Sequence, residues 1–147
     1  MPTMQRTSSK SPVALVVGAG DATGGAIARR FAREGYAVCA TRREKEKLKD
    51  LVAEIESLGG AAHAFGSDAR KEDAVIALFD EIERDIGEIE VAVFNIGANV
   101  RFPIAETTAR VYTKVWEMGA FAGFLVGREA ARRMTPRGRG TILYTGA

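Results

Sequence analysis

The chain has one cysteine (Cys39) and one histidine (His63) among 147 residues. A lone cysteine excludes an intrachain disulfide framework and any zinc cluster built on cysteines. A lone histidine excludes a multi-histidine metal site, so no residue is assigned to metal binding. No charge sign dominates. Lys and Arg number 21 and Asp and Glu 19, a formal net charge of +2. That balance argues against nucleic acid or a membrane as partners drawn in by bulk charge. No apolar run approaches the roughly 20 residues of a membrane span. Residues 1–12 carry Arg6 and Lys10 but no acid, and lack the apolar stretch of a secretory signal. They read as a disordered tail, with a short transit peptide as the alternative, and a cytoplasmic location is expected. The full sequence is 46% hydrophobic and 27% charged, the make-up of one ordinary globular domain.

From Pro12 onward, two periodicities alternate. Val13–Val17 is a continuous apolar run, as in a strand buried on both faces. Ile27, Ala28, Phe31 and Ala32 then recur at helical spacing up to Gly35. Tyr36–Thr41 is a second strand-like run, and Leu48, Leu51, Val52, Ile55 and Leu58 form a helical stripe closed by Gly59-Gly60. Ala61–Phe65 is a weak third strand. Val75, Leu78, Phe79, Ile82 and Ile86 make another helical stripe, followed by a fourth strand at Val91–Phe94. A long helix is expected from about Thr108 to Met134, with Pro136 just beyond it, and a fifth strand at Thr141–Thr145. Strands alternating with helices predict an α/β fold, a parallel sheet with helices on both faces.

The glycine-rich segment Val17-Gly18-Ala19-Gly20-Asp21-Ala22-Thr23-Gly24-Gly25 joins the first strand to the first helix. Glycine there permits a tight turn and lets backbone N–H groups approach a pyrophosphate, which the helix N-terminus also attracts. The alternative is a glycine-rich turn with no ligand. A strand before it, a helix after it and further units downstream favour dinucleotide binding by Gly18, Gly20, Asp21, Ala22, Thr23 and Gly24. No Gly-Lys-Ser/Thr follows, which argues against a P-loop. An acid closing the second strand would favour NAD; the chain instead reads Thr41-Arg42-Arg43. Two guanidinium groups suit a 2′-phosphate, so NADP is expected over NAD. The plainer reading places both arginines in the solvated charge run Arg42–Asp50.

On these residues the chain resembles the N-terminal portion of the short-chain dehydrogenases/reductases (SDRs). Their first turn is T-G-x-x-x-G-x-G; Gly18 and Gly24 match its first and last glycines, while Ala22 and Val17 replace the middle glycine and the threonine. The resemblance implies a Rossmann-like, doubly wound sheet in the order 3-2-1-4-5. Residues 13–147 would form this dinucleotide-binding domain. It places Asp68 at an acid that contacts adenine, the alternative being a helix cap ahead of Val75. It aligns Phe94-Asn95-Ile96-Gly97 with N-N-A-G, so that Asn95 and Gly97 match a segment that steadies the sheet and lines the cofactor site. The alternative for Asn95 is an ordinary turn residue.

The family's catalytic Asn, Ser, Tyr and Lys are not found here. The Asn aligns with Gly119, which has no side chain, and the Ser with Ala147 or just beyond the end. Four residues beyond Tyr36 and Tyr112 lie Ala40 and Trp116; none follows Tyr144. No Tyr-x-x-x-Lys pair exists to carry the proton chemistry. No catalytic residue is assigned. The expectation is an SDR-type, NADP(H)-dependent oxidoreductase of a small carbonyl or alcohol, represented by its cofactor-binding half. It would be truncated after the fifth strand and inactive alone. A non-catalytic NADP-binding module or sensor is the alternative.

A fifth strand left at the sheet edge is an aggregation or partner-pairing risk, and a helix as apolar as Val111, Val115, Trp116, Met118, Phe121, Phe124 and Leu125 predicts a homo-oligomer, the alternative being cover by a C-terminal half within one chain. His63 reads as a surface or satisfied polar residue, Cys39 as a small buried apolar one. Arg128, Arg132, Arg133, Arg137 and Arg139 read as a basic patch favoured by a helix C-terminus.

Overall fold

The structure is a computed structural model and describes residues 10–98 and 100–146. Five strands form one sheet: β1 (Val13–Val17), β2 (Ala37–Arg42), β3 (Ala61–Gly66), β4 (Ile89–Phe94) and β5 (Thr141–Tyr144). Every pairing is parallel and the order is β3-β2-β1-β4-β5. The helices are α1 (Thr23–Arg33), α2 (Lys49–Ser57), α3 (Glu72–Asp85), α4 (Ala109–Trp116) and α5 (Ala122–Arg137). This is the expected Rossmann-like arrangement.

Why β1 is wholly apolar follows from its place. All five of its residues are buried, because the central strand is covered on both faces. Val13, Leu15 and Val17 pack with Phe79 and Ile82 of α3 and Leu125 and Val126 of α5. Val16 faces the other way, with Ala28 of α1 and Leu51 and Ile55 of α2. Side chains alternate across a strand, so one run of valines feeds two cores. Phe79 is fully buried; truncating such a side chain to alanine costs about 3–5 kcal/mol.

Three local readings change. The long helix is interrupted: a π-helical turn, Glu117–Phe121, joins α4 to α5. Gly119 lies within that turn, and glycine holds regular α-helix weakly. Second, Pro136 lies inside the last turn of α5, and the chain leaves the helix at Gly138, with φ +68°. Third, the arginines of α5 are not a free basic patch. Arg128 pairs with Glu72 and Arg133 with Asp80, while Arg137 reaches Glu83 at 2.7 Å. Glu129 is buried between Arg132 and Arg133, at 2.7 and 2.6 Å. Acids on α3 balance the arginines of α5 and join the two helices on one face of the sheet. Of the expected tail, residues 1–9 lie outside the described residues. At 10–12, the Pro12 carbonyl accepts from Ala37 N at 2.9 Å and Lys10 Nζ donates to Arg84 O at 2.9 Å.

Candidate cofactor site

The strand order reverses around β1, so the loops after β1 and β4 diverge at the carboxyl end of the sheet and leave a crevice. The turn after β1 is held there by its neighbours. Gly18 N and Ala19 N both donate to Thr41 O at 3.1 Å, Gly20 N to Gly18 O at 2.9 Å, and Gly25 N to Gly20 O at 2.7 Å. Gly18 has φ +87°, and a Cβ there would lie 2.4 Å from Asn95 O. A Cβ on Gly24 would lie 2.3 Å from Gly18 O. Both positions therefore exclude any larger residue. Gly20 is different: nothing lies within 4 Å of a Cβ placed on it, so it borders open space.

From the other side, Asn95 N donates to Val17 O at 2.8 Å and its side-chain amide to Gly18 O at 3.0 Å. Its side-chain oxygen accepts from the Thr145 hydroxyl at 2.7 Å. One side chain thus ties the ends of β1, β4 and β5 together. Asn95 is no ordinary turn residue.

A cavity of about 360 Å³ opens between these elements. Of the residues singled out above, Gly18, Gly20, Arg42, Arg43, Asp68, Asn95 and Gly97 line it. Asp21 is joined to the lining through Arg42 Nη1, at 3.4 Å. Ala22, Thr23 and Gly24 are not part of the wall; they begin α1, where no side chain caps the helix and no acid stands in the first turn. Asp68 does not cap α3, whose N-cap is Lys71. It is instead clasped by Arg70: Nε donates to Oδ1 at 2.9 Å and Nη2 to Oδ2 at 2.8 Å. The Arg70 guanidinium holds the Asp68 carboxyl down to about 2, against the smaller opposing effect of burial.

Two contributors escape a reading of motifs. Ser67 Oγ is buried with no hydrogen-bond partner in the same cavity wall, and Arg70 sits beside it. Arg70 could have been suspected from its place two residues after Asp68; Ser67 carries no signal of its own. A second cavity of about 400 Å³ shares Asn95, Ile96 and Gly97 with the first and is bounded by Tyr112, Trp116 and Gly119. Elsewhere, Cys39 is fully buried in β2, and burial pushes its thiol up to about 12.

The residues fit a dinucleotide on three grounds. The turn after β1 has glycines where a Cβ would strike backbone, next to a position that borders open space. A buried hydroxyl in the cavity wall lacks a partner. Two arginines line the same wall, and Arg42 reaches the exposed Asp21 by a long contact of 3.4 Å.

Comparison with known proteins agrees. Residues 12–147 match the family model for short chain dehydrogenases. The chain is 35% identical over 130 residues to a gluconate 5-dehydrogenase of Gluconobacter oxydans, covering 88% of this chain and 51% of that protein. It superposes on a short-chain dehydrogenase of Rhodopseudomonas palustris with TM-score 0.88 and 52% identity, covering 92% of this chain and 63% of that one. It superposes also on an actinorhodin polyketide ketoreductase variant with NADPH, with TM-score 0.86 and 30% identity over 91% of this chain and 52% of that one. The chain spans about half the length of the curated relatives it matches. It belongs to the short-chain dehydrogenase family.

Proposed function

We propose that this chain is the cofactor-binding half of a cytoplasmic oxidoreductase that uses NADP(H) and acts on a small carbonyl or alcohol, with residues 13–147 as its dinucleotide-binding domain. The observation that carries the reading is the convergence of Gly18, Gly20, Arg42, Arg43, Asp68 and Asn95 on one cavity at the crevice of the sheet. In its family, some structural neighbours hold NADP(H).

When bound, the nicotinamide cofactor supplies or accepts hydride. The chain's own residues bind and orient it. The backbone of Gly18 and Gly20 and the start of α1, at Asp21–Gly24, would hold the pyrophosphate. Arg42 and Arg43 would pair with a 2′-phosphate, each through a planar fork suited to phosphate oxygens. Asp68 would accept from the adenine, and Asn95 keeps the floor between the two cavities rigid. The second cavity, bounded by Trp116 and Tyr112, would take the reacting groups.

The tyrosine–lysine pair and the asparagine with which the family moves the proton that accompanies hydride transfer have no counterpart in this sequence. Gly119 has no side chain and lies beside the second cavity, and no tyrosine precedes a lysine by four residues. The isolated chain therefore binds NADPH without turning it over. That same observation supports a second reading, a non-catalytic NADP-binding module. The exposed Tyr112, Trp116, Phe124, Leu143 and Tyr144 on α4, α5 and β5 support self-association. The test is to titrate the chain with NADPH and then follow NADPH absorbance over a panel of carbonyl compounds. Saturable binding with a flat trace supports the proposal; turnover at an ordinary enzyme rate refutes the assignment of an inactive half.

A further inference from the structure

The binding scheme above gives Asp68 a role but none to Arg70, the residue that clasps it. Arg70 meets Asp68 with both arms of its fork, and the Arg70 backbone N–H donates to Asp68 Oδ1 at 3.1 Å. A carboxylate oxygen accepts about two bonds. Oδ1 is therefore filled, by Arg70 Nε and Arg70 N. Oδ2 accepts once, from Arg70 Nη2, and keeps one acceptor position. Both residues line the 360 Å³ cavity, with side chains 20% (Asp68) and 33% (Arg70) exposed. The guanidinium is planar, so its two parallel bonds fix the plane of the carboxylate as well as its charge. Around the pair, Lys71 adds attraction for Asp68 and Glu117, on the π turn, adds attraction for Arg70.

A carboxylate held this way is an acceptor with no donor capacity. A ligand edge that offers an N–H satisfies Oδ2; an edge that offers a carbonyl oxygen sets lone pair against lone pair. We infer that Arg70 is a positioning residue for base selection: it locks the Asp68 carboxylate so that Oδ2 accepts from the exocyclic amine of adenine and rejects a keto purine. This rests on the dinucleotide reading proposed above. Without the Arg70 side chain, the backbone N–H of residue 70 would still hold Asp68 at Oδ1, but the carboxylate could turn Oδ2 away.

The experiment compares NADPH with its hypoxanthine analogue, in which an oxo group replaces the adenine amine, by calorimetric titration of the chain. Wild type should bind NADPH about tenfold more tightly than the analogue, the effect of one hydrogen bond to a charged group. Arg70→Gln should bring the two affinities to within about twofold. Arg70→Lys keeps the charge but lacks the fork, and should also shrink the ratio, which keeps the test available if the glutamine variant does not fold. Asp68→Asn restores a donor and should bind the analogue at least as well as NADPH. Equal affinities in wild type, or Arg70 variants that weaken both ligands by one factor with the ratio kept, would overturn the inference while leaving the dinucleotide reading intact. Wild type that binds neither ligand would overturn both.

Discussion

Asn95 donates its side-chain amide to the backbone oxygen of Gly18, 3.0 Å away and 77 residues earlier in the chain. Its other side-chain atom accepts from Thr145 at 2.7 Å. The same residue that lines the cofactor cavity thus closes the sheet at its open end. Asn95→Ala should destabilise the chain by about 1–3 kcal/mol, the cost of leaving half-buried partners unpaired. Asn95→Asp should destabilise it more, because a carboxylate oxygen then faces Gly18 O. Urea denaturation of both variants gives the ranking.

The glycines of the turn separate folding from binding. Gly18→Ala and Gly24→Ala would drive a methyl into backbone atoms at 2.4 and 2.3 Å, and Gly18 must also hold φ +87°. Both should lower the melting temperature steeply or abolish folding. Gly20→Ala meets nothing within 4 Å. It should melt within a few degrees of wild type yet weaken NADPH binding at least tenfold, since its methyl occupies the cavity wall. Thermal melts alongside titrations check both halves of this contrast.

The architecture was legible because it is carried by local pattern. The Val13–Val17 run, the stripe Val75–Ile82 and the closing Gly35 each announce themselves within one element, while the strand order came from the family resemblance and not from any one element. Of the residues that line the cavity, Gly18 and Arg42 were singled out by the glycine-rich turn and the end of the second strand, and Asp68 by the family resemblance. What escaped depends on contacts between distant segments. Glu129 between Arg132 and Arg133, and Arg133 against Asp80 53 residues away, turn an apparent basic patch into a helix–helix clamp. The π turn at Glu117–Phe121 escaped because the apolar spacing runs on through it and one glycine, Gly119, does not by itself mark a break.

Two titrations report opposite signs. Asp68 is held below its ordinary range, down to about 2, by Arg70. The native state therefore binds that proton less readily than the unfolded chain. The stabilisation is present above about pH 4 and lost as pH falls toward 2. Arg70→Gln should remove that part of the acid dependence. Cys39 is held up, to about 12, by burial. Its neutral thiol favours the fold below about pH 8.5, and this advantage is lost as pH rises toward 12. A maleimide should accordingly label Cys39 only as the chain unfolds, with labelling rate tracking urea concentration.

The claim on which the account rests is that Arg42 and Arg43 face a 2′-phosphate in the cavity beside Gly18 and Gly20. Parallel calorimetric titrations of wild type and the Arg42→Gln/Arg43→Gln variant with NADPH and NADH test it directly. Two lost charge-assisted contacts should weaken NADPH by roughly 10- to 100-fold, leave NADH within about threefold, and flatten the salt dependence of NADPH binding. An NADPH affinity unchanged in the double variant, or a wild type that binds neither coenzyme, would contradict it.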